Sequence, residues 1–130
     1  MRLAESIGPL HAVQAIYTWL HYSASLIKLK RYQEAKSLLR KTMPVARRVL
    51  GESDRGTTKL IWNYAITLYR DDRATLDDIR EAVETLESVA PLWKRVFGNA
   101  HPETPRVQGA LKQARAALAA RAAASSSGAA

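Results

Sequence analysis

The feature that most constrains the fold of this chain is an internal repeat. Pro44 matches Pro91 and Gly51 matches Gly98, both at a spacing of 47 residues, and the residues around these pairs are similar. A further copy of the glycine-centred segment lies upstream at Gly8, 43 residues before Gly51. Self-similarity at a period of this length is the signature of structural units that stack on one another and bury a shared core.

Gly51 and Gly98 lie where helices are expected to end. Two basic residues precede each glycine by a few positions, where positive charge offsets the negative end of a helix dipole. Glycine readily adopts the positive φ that often follows the last helical residue. After Gly98, Thr104 and Pro105 predict an N-cap followed by the first residue of a new helix.

Between the glycines, apolar residues recur with helical periodicity. Two stripes with the spacing i, i+3, i+4 and i+7 place their side chains on one face of a helix. They are Trp19, Tyr22, Ser23 and Leu26 in the first unit, and Ile61, Tyr64, Ala65 and Leu68 in the second. A second helix follows in each unit, and it carries Tyr32, Ala35, Leu38, Leu39 and Thr42, or Ile79, Ala82, Val83, Leu86 and Val89. Thr75 and Asp78 have the spacing of a capping box and predict where the later of these helices begins.

The chain is therefore predicted to be all-α, with stacked antiparallel helical hairpins that form an α-solenoid and a C-terminal capping helix. The cap is the Ala-rich segment that carries Val107, Leu111, Ala114 and Leu118. The predicted boundaries are 1–12 for the end of a truncated upstream unit and its junction, 13–56 for unit one, 57–103 for unit two with an inserted loop near 73–78, 104–123 for the capping helix, and 124–130 for a disordered tail.

The first unit resembles a known repeat. The motif WxxYSxxL at residues 19–26, followed by YxEA at residues 32–35, is similar to the tetratricopeptide repeat, in which a small residue of the first helix packs against an alanine of the second. Ser23 and Ala35 match those two positions. The FGNAHP sequence at residues 97–102 resembles the junction of the kinesin-light-chain-like subtype of tetratricopeptide repeat (TPR) proteins.

The chain departs from the family pattern at three places. Lys30 stands where a turn glycine is usual, and Thr42 stands where an alanine is usual. Asp54 and Arg55 replace the His-Pro pair in the middle junction. These departures concern the geometry of the turns rather than the hairpin architecture.

The resemblance implies a scaffold for protein–protein interaction. In this family, the first helices of stacked units line a concave groove that holds an extended peptide, with an Asn that hydrogen-bonds the peptide backbone. Asn63 takes this Asn position in the second unit, and His21 takes it in the first. Helical spacing from these two positions adds their neighbours on the same face. The predicted peptide-binding groove comprises Tyr17, His21, Lys28, Lys59, Trp62, Asn63, Ile66, Tyr69 and Arg70.

The formal net charge of +8 has two interpretations. A basic excess suits an acidic partner, and charged residues are also what the solvated faces of helices carry. In the groove, basic residues with aromatic neighbours favour an acidic, partly apolar peptide. The alternative is a nucleic-acid-binding helical module with steep salt dependence. It predicts a contiguous basic stripe of Lys28, Lys30, Arg31, Lys41, Arg47 and Arg48.

The sequence contains no constellation typical of an enzyme, so a non-catalytic protein without a cofactor is expected. The spacing of His11, His21 and His101 matches no metal-binding motif. A turn and a helix cap explain the two Asp-Asp pairs at residues 71–72 and 77–78 without an acid–base role.

The composition also bears on compartment and assembly. The chain has no cysteine, which excludes a disulfide framework and fits a reducing, cytoplasmic location. No apolar run approaches the roughly 20 residues of a membrane-spanning helix, so no membrane association is expected. Two units and a cap are fewer than the roughly three repeats usually needed for stability. Self-association and a longer array with further upstream units both stay open.

Overall fold

The computed structural model describes the backbone of residues 9–129 and the side chains of residues 11–125. Within these residues the chain forms five α-helices and no β-strand. The helices are α1 (Pro9–Lys28), α2 (Tyr32–Val49), α3 (Arg55–Tyr69), α4 (Leu76–Phe97) and α5 (Thr104–Ala129). The all-α class predicted from the helical periodicity is confirmed.

The helices form stacked antiparallel hairpins in two layers. Each helix packs against the next one along the chain, and α3 also contacts both α1 and α5. Therefore α1, α3 and α5 form an inner layer, whereas α2 and α4 form an outer layer. Because α2 and α4 make little contact with each other, the inner helices are the more closely spaced, and the free face of the inner layer is concave.

The core lies between the two layers and follows the predicted stripes. Every predicted stripe residue of α3 and α4 is buried, and so are Ala35, Leu39 and Thr42 of α2. Val107 and Ala114 join α5 to this core. Trp93 is 1 % exposed and is the largest fully buried side chain. The period of the apolar residues thus identified most of the buried helix faces correctly.

Tyr22 is an exception, because its side chain is 55 % exposed although the stripe predicts it in the core. Tyr64, at the matching position of the next unit, is 6 % exposed. Its hydroxyl donates to Glu81 of α4 at 2.5 Å and accepts from Nε of Arg40 in α2. Tyr64 is therefore covered by the second helix of the preceding unit, whereas no such helix precedes α1 within the described residues.

The turn between α1 and α2 is built around Lys30. Its φ of 60° is the only positive φ of a non-glycine residue in the described part of the chain. The backbone N–H of Lys30 donates to the Ile27 carbonyl at 2.9 Å, and that of Arg31 donates to the Leu26 carbonyl at 2.8 Å. These two bonds form a Schellman motif, which requires a left-handed residue at this position. Lysine therefore adopts a conformation that glycine usually supplies at the end of a helix.

The two junction glycines have the predicted positive φ. Gly51 has φ of 91° and donates its N–H to the Arg47 carbonyl at 3.1 Å. Gly98 has φ of 83° and ψ of 162°, a backbone region that is essentially restricted to glycine. Asp54 is the N-cap of α3, because its carboxylate accepts a hydrogen bond from the Gly56 N–H at 2.8 Å. The residue that departs from the His-Pro pair in the middle junction therefore stabilises the start of the next helix.

Thr104 does not occupy the predicted N-cap position. It is the first residue of α5 rather than the residue before it. Its buried hydroxyl donates to the Gly98 carbonyl at 2.8 Å and ties the start of α5 to the end of α4. The sequence pattern located this helix start to within one residue.

The connection between α3 and α4 spans residues 70–75. Residues 76–78, which the sequence places in an inserted loop, instead form the first turn of α4. The capping box is present, because the Thr75 hydroxyl accepts from the Asp78 N–H and the Asp78 carboxylate accepts from the Thr75 N–H. Asp71 holds the rest of the connection by accepting from the Arg73 N–H and from Gln33 of α2.

The two ends of the described chain differ from the predicted boundaries. α1 is described from Pro9 onwards and includes His11, so His11 lies in a helix instead of a junction, and the truncated upstream unit predicted for residues 1–12 falls mostly outside the described residues. α5 continues to Ala129, past the predicted helix end at residue 123 and through most of the predicted tail. Residues 124–129 include three serines and one glycine, whose helix propensities are lower than that of alanine, so helix propensity does not account for this extension. In residues 9–129, no helix has the length and apolar character needed to cross a bilayer.

Candidate functional site

The concave face of the inner layer carries three adjoining cavities, which all include Ala24 of α1. We refer to them together as the inner groove. The junction-end cavity, of about 200 Å³, lies near the N-terminal half of α3 and includes Lys59, Trp62 and Asn63. The central cavity, of about 370 Å³, lies between α1, α3 and α5. The turn-end cavity, of about 520 Å³, lies beside the α1–α2 turn.

The junction-end cavity has aromatic walls. The ring centroids of Trp62 and Trp93 are 5.9 Å apart, and those of Trp93 and Phe97 are 4.4 Å apart. The Lys59 ammonium lies 5.6 Å from the centroid of the Phe97 ring, within the range of a cation–π interaction. Nε1 of Trp93 is buried and has no hydrogen-bond partner among the described residues. The lining of this end of the groove therefore combines the aromatic rings of Trp62 and Trp93 with the ammonium of Lys59 and the carboxylate of Glu103.

Asn63 lies at the middle of the groove and bridges two helices. Its Nδ2 donates to Oγ of Ser23 at 3.2 Å, and Oγ of Ser23 donates in turn to the Leu20 carbonyl at 2.8 Å. The amide of Asn63 is thereby held in place by α1, and it lines both the junction-end and the central cavities. Ile66, which is 3 % exposed, forms part of the apolar floor of the central cavity.

The turn-end cavity is strongly basic. Lys28 ends α1, Lys30 is the left-handed residue of the turn, and Arg70 directly follows α3. All three line this cavity, together with His21 and Tyr32. The Arg70 guanidinium also lies 6.0 Å from the centroid of the Tyr69 ring.

Seven of the nine predicted groove residues line the three cavities. They are His21, Lys28, Lys59, Trp62, Asn63, Ile66 and Arg70. They line the same groove because α1 and α3 are regular helices that lie side by side. Their role in binding stays a prediction.

Tyr17 and Tyr69 line none of these cavities and instead connect helices. The Tyr17 hydroxyl donates to Asp54 at 3.3 Å, and its ring lies against Gly56 at the start of α3. The Tyr69 hydroxyl donates to Oε1 of Gln113 in α5 at 3.3 Å. Burial raises the pKa of both tyrosines, so both keep the proton that they donate.

The groove also contains residues that sequence reasoning did not find. Arg106, Gly109, Ala110 and Gln113 of α5 form one wall of the central cavity. The predicted role of α5 as a cap does not include them, although Arg106 and Ala110 lie 47 residues after the groove residues Lys59 and Asn63. The repeat period was the signal that could have identified them.

The charges of the groove are unbalanced. Five basic side chains line the cavities, which are Lys28, Lys30, Lys59, Arg70 and Arg106, against the carboxylate of Glu103. Within the described residues none of these five cations forms an ion pair with a carboxylate. A surface of this kind has a positive potential and an apolar floor.

The basic stripe that a nucleic-acid-binding module requires is partly neutralised. Arg31 makes a bidentate ion pair with Glu34, and Arg47 pairs with Glu52 at 2.8 Å. An arginine that is paired with a carboxylate is less available to neutralise a phosphate, and neutralised phosphates release the counterions whose release drives much of the binding to a nucleic-acid backbone. Two of the six cations of the predicted stripe, Arg31 and Arg47, are thus already paired with carboxylates.

Residues 23–55 match the family model of the tetratricopeptide repeat. The match runs from Ser23 in α1 through the Lys30 turn and α2 to Arg55, and so covers the Schellman turn and the Gly51 junction. No curated protein and no solved structure matches the chain significantly. The family match supports a repeat protein of the tetratricopeptide type, and repeats of this type indicate a protein–protein interaction module.

Proposed function

We propose that this protein is a non-catalytic scaffold that binds an acidic, partly apolar peptide segment of a partner protein in the inner groove. The observation that carries the proposal is the set of basic side chains that line the groove without a carboxylate partner in the described residues. A bound acidic side chain would form charge-assisted hydrogen bonds with these cations.

The shape and the floor of the groove support a peptide rather than a small molecule. The three cavities adjoin one another across α1, α3 and α5, so they offer an extended surface instead of one enclosed site. Trp62 and Ile66 provide apolar contacts for alternate side chains of an extended chain. Asn63 is oriented by Ser23, and its carbonyl oxygen can accept a backbone N–H of the peptide.

The proposal includes the kinesin-light-chain-like subtype and a cytoplasmic location. Support for the subtype comes from the compact junction after α4, where Phe97 and His101 have ring centroids 4.9 Å apart. Nδ1 of His101 accepts the N–H of Glu103 at 3.0 Å, so the histidine organises the turn. The absence of cysteine supports the location.

The proposal is tested with a fluorescently labelled peptide that contains several acidic residues and one tryptophan. Fluorescence anisotropy should show saturable binding, and a peptide with Gln and Asn in place of the acidic residues should bind at least about tenfold more weakly. Asn63→Ala and Lys59→Glu should both weaken binding. Lys41→Glu is the matched control for charge, because Lys41 lies on α2 and lines none of the groove cavities.

A variant that fills the groove provides an independent test. A Cβ atom added at Gly109 would meet nothing within 4 Å, and Gly109 lines the central cavity. Gly109→Leu should therefore keep the fold, as measured by circular dichroism, and should abolish peptide binding. Unchanged binding in Gly109→Leu and in Asn63→Ala would exclude the groove. Strong, salt-sensitive binding to unrelated nucleic acids, with no peptide binding, would favour the alternative function.

A further inference from the structure

The turn-end cavity differs from the rest of the groove in its density of positive charge. Lys28, Lys30 and Arg70 all line this one cavity of about 520 Å³. Within the described residues none of the three pairs with a carboxylate. The neighbouring Asp71 is 6 % exposed and is already engaged by Gln33, by the Arg73 N–H and by the Arg73 side chain.

Helix ends explain only part of this charge. The C-terminal ends of α1 and α3 lie beside the cavity, and each carries about half a negative charge. Cations at such ends are favourable, and Lys28 and Arg70 fit this role. Together the two ends offset about one of the three positive charges, which leaves room for a ligand with about two negative charges.

The backbone conformation of Lys30 also points to a function of its side chain. It occupies the left-handed position of a Schellman motif, a conformation that is unfavourable for a lysine and not for a glycine. The turn therefore keeps an unfavourable residue whose side chain lines the basic cavity. A strained residue at a binding surface is grounds for inferring a function of its side chain.

Two further polar groups complete the cavity. Tyr32, the first residue of α2, is half-buried, and its hydroxyl has no hydrogen-bond partner among the described residues. The imidazole of His21 forms the wall towards the junction end of the groove. The Tyr32 hydroxyl can donate to an oxyanion, as the ammonium and guanidinium groups do.

We propose that the turn-end cavity is a subsite for a phosphoryl group carried by a side chain of the docked peptide. Lys28, Lys30 and Arg70 supply the charge, and Tyr32 supplies a neutral donor. This inference rests on the proposed function, because the peptide brings the phosphoryl group to the cavity. Phosphorylation of the partner would then strengthen the complex by adding charge-assisted hydrogen bonds at one end of the groove.

The distance along α3 sets the design of the probe. Lys59 and Arg70 lie on opposite ends of the groove, and the helix rise places them roughly 16 Å apart along the axis. About five residues of extended peptide span this distance. The probe is therefore an acidic peptide with a tryptophan and, about five residues away, a serine that is unmodified, phosphorylated or replaced by glutamate.

Anisotropy titrations of the full chain with these three peptides test the inference. The phosphorylated peptide should bind about tenfold more tightly than the unmodified one, with the glutamate peptide between them. Lys30→Gly, which keeps the turn conformation and removes the ammonium, should reduce this preference to about twofold or less. Lys41→Ala is the matched control, since it removes the same charge outside the groove, and it should keep the full preference.

The outcomes separate the two proposals. Equal affinity for the phosphorylated and unmodified peptides would overturn the subsite and leave the peptide groove standing. Binding of neither peptide would overturn both. If the glutamate peptide bound as tightly as the phosphorylated one, the cavity would be a carboxylate site and the phosphoryl assignment would be overturned. A preference that survives in both Lys30→Gly and Arg70→Gln would also contradict it.

Discussion

Nδ2 of Asn63 donates a hydrogen bond of 3.2 Å to Oγ of Ser23 and thereby joins the groove faces of α3 and α1. Ser23 is fully buried, and its hydroxyl donates a hydrogen bond to the Leu20 carbonyl. Ser23, which occupies the small-residue position of the first hairpin, thus also holds the Asn63 side chain in the middle of the groove. A serine performs both roles, whereas an alanine or glycine at this position would leave Asn63 unheld.

This bond should contribute measurably to stability. We expect a double-mutant cycle with Asn63→Ala and Ser23→Ala to give a coupling free energy of about 0.5 to 1.5 kcal/mol, the usual net contribution of a hydrogen bond. The free energies of unfolding are measured by urea denaturation of the four proteins. A coupling near zero would show that the contact does not hold Asn63 in solution.

Lys30→Gly should stabilise the protein. The left-handed conformation costs lysine about 1 to 2 kcal/mol, and glycine loses about 0.5 to 1 kcal/mol through its greater freedom in the unfolded chain. The expected net gain in the free energy of unfolding, measured by urea denaturation, therefore lies between about zero and about 1.5 kcal/mol. Lys41→Gly, in the interior of α2, should instead destabilise by up to about 1 kcal/mol. A loss of stability in Lys30→Gly would disprove the strain on which the phosphoryl subsite partly depends.

Gly109 and Gly98 should respond in opposite ways to alanine. Gly109 lies inside α5 with open space around its missing side chain, so Gly109→Ala should stabilise by about 0.5 to 1 kcal/mol. Gly98 has φ of 83° and ψ of 162°, so Gly98→Ala should destabilise by about 1 to 3 kcal/mol. Thermal unfolding followed by circular dichroism distinguishes the two. The same sign for both would contradict the helical assignment of Gly109 or the junction geometry.

Acid should remove a stabilising contribution of Asp78. The Thr75 backbone N–H, which donates to its carboxylate, lowers the pKa of Asp78 below its usual value of 3.8. The folded state therefore binds this proton less readily than the unfolded state. The ionised Asp78 contributes fully to the free energy of unfolding when the pH is above the pKa of Asp78 in the unfolded chain. This contribution is lost as the pH falls through the lower pKa that Asp78 has in the folded protein. The Arg73 N–H likewise lowers the pKa of Asp71, so the stabilising contribution of Asp71 is also lost at acidic pH.

The contribution is measured by comparing the wild type with Asp78→Asn, which keeps an oxygen acceptor for the Thr75 N–H but carries no charge. The wild type should be the more stable protein at neutral pH, and the two urea denaturation curves should converge below about pH 3.8. A stability difference that stays constant through this range would show that the charge of Asp78 does not support the cap.

Much of the fold follows from local sequence. The glycine junctions, the capping box at Thr75 and the buried stripes of α3 and α4 were all predictable, because each depends on backbone conformation or on the helical period. Tyr22 was not predictable in this way. Tyr22 and Tyr64 occupy the same position in their apolar stripes, but the burial of each side chain also depends on whether another helix packs against it.

The groove was predictable in part for the same reason. Helical spacing identifies the residues that share a face of α1 or of α3, and it placed His21, Asn63 and Arg70 on the groove side. It could not show that Tyr17 bonds to the Asp54 cap, nor that α5 supplies a third wall through Gly109. These relationships join residues on different helices, and their distances depend on how the helices stack.

The sequence by itself determined the helices, their junctions and the residues that one helix presents on one face, because these are set by propensity, capping and period. The tertiary structure alone decided which faces meet. It brought Lys30 from a turn and Arg70 from the end of α3 to one cavity, and it left their charges without a carboxylate partner in the described residues. Side chains far apart in sequence form a site only when packing fixes the helices side by side, and this packing energy is shared among many residues rather than encoded in a motif.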